Sequence, residues 1–234
     1  MIDFHSHVLP GIDDGSANIE ESLALLELQA RQGITHTVAT PHFYPGHQSF
    51  ESFLRRRSQA EAELRQAMAE KTGLPELTVG AEVHYFRGIG QCEALKALTV
   101  GSGKYILIEL PYGQWSDRMY QELEEISEKQ GLIPVIAHVD RYLGTFSTRG
   151  IPEKLMGHGC LIQVNASAFL TPLARRLSLK MLRREQIHLL GSDCHDLSSR
   201  PPRLGEAVEK LRGAMGEGAL ARLEALGERV LFGT

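Results

Sequence analysis

Short apolar runs alternate with longer amphipathic stretches along the whole chain. This alternation predicts parallel strands joined by helices, because buried parallel strands are short and apolar whereas the covering helices repeat every 3.6 residues. Seven or eight such units typically close into a barrel, although an open doubly wound sheet fits the same pattern. The predicted strands are residues 2–5, 34–40, 77–83, 105–110, 133–138, 161–165 and 187–191.

The helical stretches carry start and stop signals. Asn18 can cap the first helix while Glu21, three residues later, returns the hydrogen bond, and Gly33 is a suitable C-terminal stop. The longest predicted helix covers residues 49–71, which are rich in Ala, Glu, Arg and Leu. Two amphipathic helices are expected to pack on the barrel near the end of the chain, at residues 204–215 and 219–230.

Length and composition limit the class of protein. With 234 residues, 42% of them hydrophobic, the chain suits one α/β barrel, and we expect residues 1–234 to form a single domain. A net charge of −4 provides no broad basic surface, which disfavours nucleic acid as a partner. Three irregularly spaced cysteines indicate a reducing compartment, and we find neither a signal peptide nor a long apolar segment. The expected location is the cytoplasm, without membrane insertion.

Histidines and carboxylates occur at the ends of six of the seven predicted strands, where the chemistry of α/β barrels is concentrated. His5 and His7 are two residues apart, so both rings share one face of a strand, and Asp193 repeats this spacing with the histidine after it. Asp13 and Asp14 are alternative carboxylates in the turn that follows the first pair, and Asp14 is preferred. The proposed metal ligands are His5, His7, Asp14, His42, Glu82, Glu109, His138, Asp193 and His195.

The composition of this set indicates the kind of metal. Imidazole and carboxylate without thiolate suit Mn, Fe or Zn. Nine ligands exceed the needs of one ion, so we expect two or three ions with a bridging carboxylate, an arrangement that typically hydrolyses phosphate esters. The role of His47 stays open. Structural roles are expected for the other histidines, His36, His84, His158 and His188.

The candidate ligands stand in a series of short motifs. These are Ile-Asp-Phe-His-Ser-His, Asp-Asp-Gly-Ser, Ala-Thr-Pro-His-Phe-Tyr, Gly-Ala-Glu-Val-His-Tyr, Leu-Ile-Glu-Leu-Pro-Tyr, Ala-His-Val-Asp-Arg-Tyr, Gln-Val-Asn-Ala-Ser and Gly-Ser-Asp-Cys-His with Arg-Pro-Pro after it. At these motifs the chain resembles the polymerase and histidinol phosphatase (PHP) family, and within it the bacterial manganese-dependent protein-tyrosine phosphatases of capsule and exopolysaccharide systems. The resemblance covers nearly the whole chain.

The resemblance implies a distorted seven-stranded (β/α) barrel, similar to a TIM barrel, with three metal ions and manganese as the metal. It assigns ligands as follows: His5, His7, Glu82 and Asp193 to one ion, Glu82, Glu109 and His138 to a second, and Asp14, His42 and His195 to a third. It also implies two phosphate-binding arginines, Arg141 and Arg200, and guanidinium groups suit that role because they form bidentate hydrogen bonds to phosphate. The chain departs from the family at Val139 and Asp140, where Pro-Glu is frequent, which puts the substrate preference in question.

The expected activity is hydrolysis of a phosphate monoester, above all phosphotyrosine, by a water molecule that the metals activate. The resemblance implies a bacterial tyrosine autokinase with a phosphorylated tail as the partner. Alternatives are a histidinol-phosphate or other small-molecule phosphatase, a nuclease, and a non-catalytic metal-binding accessory module. A general acid, if one is needed, is a metal-bound water, His47 or Asp196. The oligomeric state is not predicted.

One further motif is a competing hypothesis. Cys194 and Arg200 satisfy the cysteine, any five residues, arginine pattern of cysteine-dependent tyrosine phosphatases. The intervening residues contain no glycine to form a phosphate-binding loop, and Pro201 and Pro202 block an immediate helix. On a strand, Cys194 would also point away from the face that Asp193 shares with its neighbouring ligand. We therefore interpret this pattern as a coincidence.

Overall fold

The computed structural model describes residues 1–143 and 150–233. Within them, nine strands pair in parallel with their neighbours, and α-helices connect most of them. The strands are β1 (Ile2–Ser6), β2 (His36–Ala39), β3 (His42–Phe43), β4 (Glu76–Val79), β5 (Glu82–His84), β6 (Tyr105–Glu109), β7 (Ile133–Ile136), β8 (Leu161–Asn165) and β9 (Leu189–Gly191). The helices are α1 (Ile19–Arg31), α2 (Phe50–Met68), α3 (Asp117–Gln130), α4 (Ile151–Gly157), α5 (Pro172–Arg183), α6 (Leu204–Met215) and α7 (Glu217–Phe232).

The strands form two parallel sheets, one of three strands in the order β1-β2-β4 and one of six in the order β3-β5-β6-β7-β8-β9. The predicted α/β class is correct, but the predicted count of seven strands is not confirmed. The predicted strand 77–83 is interrupted between β4 and β5, whereas the predicted strand 34–40 contains β2 alone and the additional strand β3 begins after Pro41. Pro41 cannot donate a hydrogen bond to a neighbouring strand. Gly80 packs so tightly that an added Cβ would lie 2.2 Å from Val100 Cγ1.

The outer edge of β1 is also paired. The Asp193 N–H donates to the His5 carbonyl at 2.7 Å, and the His7 N–H donates to the Cys194 carbonyl at 2.9 Å. The first strand of the chain therefore lies between β2 and the segment that follows β9.

The helix signals are largely confirmed. Asn18 Oδ1 accepts from the Glu21 N–H at 2.9 Å, and Gly33 follows the helix end with a left-handed φ of 80°. The returning bond differs from the prediction, because Glu21 Oε2 accepts from the Ala17 N–H, one residue before the cap. The long helix α2 begins after Ser49, whose side chain accepts from the Ser52 N–H. Among the described residues, no helix combines the length and the apolar character needed to cross a bilayer.

Apolar side chains fill the space that the strands enclose, below the strand ends. Phe4, Val38, Leu107, Val135 and Leu189 belong to this buried interior cluster, and α7 contributes two further members, Val230 and Leu231. A second, larger cluster lies between the strands and the surrounding helices. Because the interior is packed with side chains, the open space for chemistry lies at the C-terminal strand ends.

Candidate metal centre

All nine predicted ligands lie at the C-terminal ends of the strands and face one another. Four atoms form the innermost group: His5 Nε2, His7 Nε2, Glu82 Oε2 and Asp193 Oδ1. His5 Nε2 lies 3.1 Å from His7 Nε2, 3.1 Å from Glu82 Oε2 and 3.6 Å from Asp193 Oδ1. Ligands of a tetrahedral cation with bonds of about 2.0–2.1 Å are about 3.3 Å apart. The four atoms therefore have the spacing of one coordination shell.

The other ligands extend this group on two sides. On one side, His138 Nε2 lies 2.9 Å from Glu82 Oε1 and 3.5 Å from Glu109 Oε1. On the other, Asp14 Oδ1 lies 3.5 Å from both His42 Nε2 and His195 Nε2. Glu82 faces the innermost group with one oxygen and His138 with the other, which is the placement that a bridging carboxylate requires.

Unpartnered buried atoms test whether a cation fits here. Glu82 Oε2 and His195 Nε2 are buried without a hydrogen-bond partner among the described residues, although each faces other candidate ligands. A buried polar atom without a partner is costly, and native proteins rarely leave one. Three overlapping groups of these residues could each hold an ion. The ligand set therefore fits divalent cations.

The charge of the buried carboxylates also suits cations. Burial acts to raise the pKa of Glu82 and of Asp193, yet both lie well below the usual range because His5 and its neighbouring imidazoles stabilise the charged carboxylates. Glu109 behaves similarly: against the effect of burial, His138 and His84 lower its pKa to about 2. Burial together with the charge of His7 lowers the pKa of His195 to about 4, which keeps this ring neutral at pH 7 and free to bind a cation.

Irregular backbone brings three of the predicted ligands to the opening. Phe4 and Ala137 belong to the interior cluster, so strict alternation would turn the next residues, His5 and His138, outward. In β1, one extra residue between Asp3 and Ser6 shifts the register against β2, and this shift turns the His5 ring back to the interior. His138 adopts a left-handed φ of 36°, and Asp193 one of 54°. Strained backbone of this kind is concentrated at functional sites.

The structure separates Asp13 from Asp14. Asp13 Oδ2 lies 2.7 Å from His7 Nδ1 and accepts from the His42 N–H at 2.9 Å, while Oδ1 accepts from the Gly15 N–H at 3.0 Å. Burial acts to lower the pKa of His7, but Asp13 raises it well above its usual range. A carboxylate that holds the far nitrogen of a histidine orients the ring for metal binding. Asp13 thus supports ligands, and Asp14 faces the opening.

Strand β8 matches the one of the seven predicted strands that carries no predicted ligand, and its side chains hold predicted ligands of other strands. Gln163 Oε1 accepts from the His138 N–H at 2.6 Å and lies 3.3 Å from His5 Nδ1. Gln163 Nε2 donates to Asn165 Oδ1 at 3.0 Å, and Asn165 Nδ2 donates to Asp193 Oδ2 at 2.7 Å. Both side chains are buried. A proton on His5 Nδ1, donated to Gln163 Oε1, leaves Nε2 with a free electron pair that faces the opening.

Both predicted arginines reach the same carboxylate. Arg141 donates to Asp193 Oδ2, and Arg200 Nη2 lies 2.8 Å from Asp193 Oδ1. Their side chains are partly exposed, so they line the rim of the opening and not its floor. The structure therefore places two guanidinium groups, which can bind phosphate, beside the cluster of predicted metal ligands.

Cys194 does not face this opening. Its side chain is fully buried, and its sulfur lies 3.7 Å from Gln29 Nε2 on α1. Burial raises the pKa of the thiol to about 12. A thiol with so little thiolate at neutral pH is a poor nucleophile, so the structure gives no support to the cysteine-dependent alternative.

The remaining candidate residues lie outside the cluster or at its edge. His36, His158 and His188 contact Glu76, Glu124 and the Ile162 N–H respectively, away from the opening, whereas His84 contacts the predicted ligand Glu109 at 3.1 Å. Exposed His47 packs near Tyr44. Asp196 accepts from the side chain of Ser199 and the N–H of Ser198, and these bonds hold its pKa well below the usual range. Asp196 is therefore poorly suited to donate a proton.

The fold and the cluster together define an α/β protein with a candidate metal-binding site at its strand ends. The chain belongs to the capsular polysaccharide synthesis family CpsB/CapC, whose model matches residues 1–228.

Curated relatives and solved structures agree with this membership. The chain is 29% identical over 218 residues to the tyrosine-protein phosphatase CpsB of Streptococcus pneumoniae, covering 89% of this chain and 88% of that protein. It is 30% identical over 209 residues to the putative tyrosine-protein phosphatase CapC of Staphylococcus aureus, covering 86% and 79%. A crystal structure from work on YwqE of Bacillus subtilis and CpsB of Streptococcus pneumoniae, described as unique metal-dependent tyrosine phosphatases, superposes with a TM-score of 0.86 at 26% identity, covering 99% and 94%. Histidinol phosphate phosphatase of Lactococcus lactis shares the fold, with a TM-score of 0.60 at 14% identity, covering 93% of each chain.

Proposed function

We propose that the chain is a metal-dependent protein-tyrosine phosphatase that acts on phosphorylated proteins of capsule or exopolysaccharide synthesis. The observation that carries this proposal is the convergence of a full set of imidazole and carboxylate groups with two arginines, Arg141 and Arg200, at one opening. A metal-binding module without catalytic activity would not need two arginines beside its metal ligands.

The proposed metal is manganese, as two or three ions, with iron or zinc as alternatives. His5, His7, Glu82 and Asp193 would hold one ion, Glu82, Glu109 and His138 a second, and Asp14, His42 and His195 a third. Bound divalent cations would supply the positive charge that activates a water nucleophile and neutralises phosphate.

The residues of the chain act on the phosphate and on the ligands. Arg141 and Arg200 would leave Asp193 to bind the phosphate oxygens, where their donors stabilise the charge that develops in the transition state. Asp13 and Gln163 hold ligand rings in place, so the site need not reorganise during the reaction. The tyrosine leaving group has a pKa of about 10, which removes the need for a strong general acid.

The proposal extends to the molecule as a whole. We treat residues 1–234 as one domain and the two sheets as one distorted seven-stranded barrel, in which β2 with β3 and β4 with β5 each count as one interrupted strand. The bonds from β1 to residues 193 and 194 support closure. The proposed partner is a bacterial tyrosine autokinase with a phosphorylated tail. The proposed location is the cytoplasm, which the free cysteines Cys92, Cys160 and Cys194 support.

The test is hydrolysis of a phosphotyrosine peptide by chelator-treated protein, before and after manganese is restored, with Cys194→Ala as the matched control. Activity that disappears with chelation and returns with manganese in both proteins supports the proposal. Activity that survives chelation but is lost in the variant would favour the cysteine mechanism. Hydrolysis of histidinol phosphate without hydrolysis of the peptide would favour the small-molecule alternative. Metal binding with neither activity would favour an accessory module.

A further inference from the structure

Helix α5 carries an unusual charge for a chain that is acidic overall. Its twelve residues contain four basic side chains and no carboxylate. Arg176, Lys180 and Arg183 are exposed, and their spacing places them along one face of the helix. None of the three forms an ion pair with a carboxylate of the described residues, whereas the neighbouring Arg184 lies 3.3 Å from Glu153. The segment 144–149 contains no carboxylate in its sequence.

An apolar groove lies between this helix and the segment that carries Arg141. The groove has a volume of about 210 Å³ and lies between Leu143 and the N-terminal half of α5, including Leu173 and Leu177. Leu173 is 74% exposed, so the groove opens to solvent. Asp140 also lines it, and residues 140 and 143 flank the candidate phosphate-binding Arg141. A chain segment that leaves the phosphate site could therefore continue directly into the groove.

Among the described residues, Asp140 is the one carboxylate that lines the groove. Asp140 is half-buried, and its Oδ1 accepts from the Asn165 N–H at 2.9 Å. Beyond it, the exposed face of α5 is basic from Arg176 to Arg183. The rim formed by α5 is thus positive, and the groove is lined mainly by apolar side chains, with Asp140 next to Arg141 as the exception.

We propose that this surface, namely the groove and the exposed face formed by Arg176, Lys180 and Arg183, binds an acidic segment of the protein substrate beside its phosphotyrosine. The proposal rests on the proposed function. Twelve helical residues span about 18 Å, the length of about five or six residues of extended chain. The acidic residues are therefore expected within about six positions of the phosphotyrosine, on one side of it only.

A peptide fits this surface better than an anionic lipid bilayer does. An interfacial helix must expose an apolar face to the bilayer. The apolar face of α5 is already buried against the protein through Met181 and Leu182, and Leu173 at one end is its one large exposed apolar side chain in the described structure. What remains exposed is mainly charge, which suits a carboxylate-rich peptide.

The test compares Arg176→Glu/Lys180→Glu with a control of equal charge change, Arg31→Glu/Lys104→Glu. Both control residues are exposed, and they lie at the end of α1 and just before β6, at the opposite end of the strands from the opening. The probes are phosphotyrosine peptides with four glutamates on the N-terminal side, on the C-terminal side, or replaced by serines. Binding of the unphosphorylated glutamate peptides is followed by fluorescence anisotropy, so that docking is measured without hydrolysis.

For the wild type and the control, we expect glutamates on one side of the tyrosine to give about tenfold tighter binding and about tenfold lower KM than serines do. This preference should be lost in the α5 variant and at high salt. Hydrolysis of p-nitrophenyl phosphate should be equal in all three proteins. The proposal is overturned if the wild type binds glutamate and serine peptides equally, or if the control loses the preference as well. It is also overturned if the α5 variant loses affinity for phosphatidylglycerol vesicles but keeps the peptide preference. Failure to hydrolyse any peptide while the anisotropy difference persists would contradict the proposed function and leave the docking surface standing.

Discussion

Replacing Asp13 or Asp14 with asparagine distinguishes a residue that supports ligands from one predicted to be a ligand. The Asp13 carboxylate accepts from the N–H groups of His42 and Gly15 and lies 2.7 Å from His7 Nδ1. An asparagine can accept on one side only, so at least one of these groups loses its partner. A hydrogen bond to a charged group contributes about 1.5–3 kcal/mol, and we expect Asp13→Asn to lower the free energy of unfolding of the metal-free protein by about 2–3 kcal/mol.

Asp14 has a different environment. Its side chain is 66% exposed, and its contacts with two histidines are 3.5 Å long. Asp14→Asn should change the free energy of unfolding of the metal-free protein by less than about 0.5 kcal/mol. Metal binding should show the reverse contrast. Asp13→Asn should weaken manganese affinity about 10–100-fold without lowering the number of ions bound at saturation, whereas Asp14→Asn should lower that number by about one ion per chain.

Urea unfolding of chelator-treated protein gives the stability of each variant, and elemental analysis after a manganese titration gives the number of ions. The reasoning would be refuted if Asp13→Asn left the metal-free stability unchanged and lost an ion while Asp14→Asn kept the full complement. That outcome would make Asp13 the ligand.

Three further variants test other parts of the site. Cys194→Ala should retain activity. In the wild type, mass spectrometry after iodoacetamide treatment at pH 8 should find half-buried Cys92 modified and Cys194 unmodified, because a pKa of about 12 leaves a thiolate fraction of about 10⁻⁴ at Cys194. Asn165→Ala removes a donor to Asp193 and should weaken manganese binding about tenfold in calorimetry; unchanged affinity would argue against a supporting role for β8. Arg200→Lys should raise KM for a phosphotyrosine peptide about tenfold at unchanged metal content, because a lysine cannot bind phosphate in a bidentate manner; an unchanged KM would remove this residue from the phosphate site.

The sequence predicts where the candidate ligands lie because two rules of strand geometry are enough to place them. Parallel strands end at one edge of a sheet, and side chains two residues apart share a face, so His5 and His7 were placed together from their spacing alone. The resemblance to a known family then grouped the ligands. The structure brings these residues together, and their roles as ligands stay predictions.

The supporting residues were missed because their signals are local and ambiguous. Gln163 and Asn165 alternate on a strand with no histidine or carboxylate, and buried amides are more often structural than functional. Alternation also places Phe4 and His5 on opposite faces, whereas the irregular register of β1 turns both inward. The break of a predicted strand at Gly80 depends on Val100, a residue of a different segment. Contacts of this kind depend on the tertiary structure and leave no trace in the spacing of one strand.

The pairing of β1 on both edges has a consequence for synthesis of the chain. One neighbour, β2, follows it within about 30 residues, but the other, at residues 193 and 194, follows only after about 190 residues. At a translation rate of about 5–20 residues per second, about 10–40 seconds pass between synthesis of β1 and synthesis of that neighbour. Asp193 and His195 arrive with it. The nascent chain therefore cannot assemble the innermost ligand group until most of it has been made, and metal loading is expected to follow translation of the final strand.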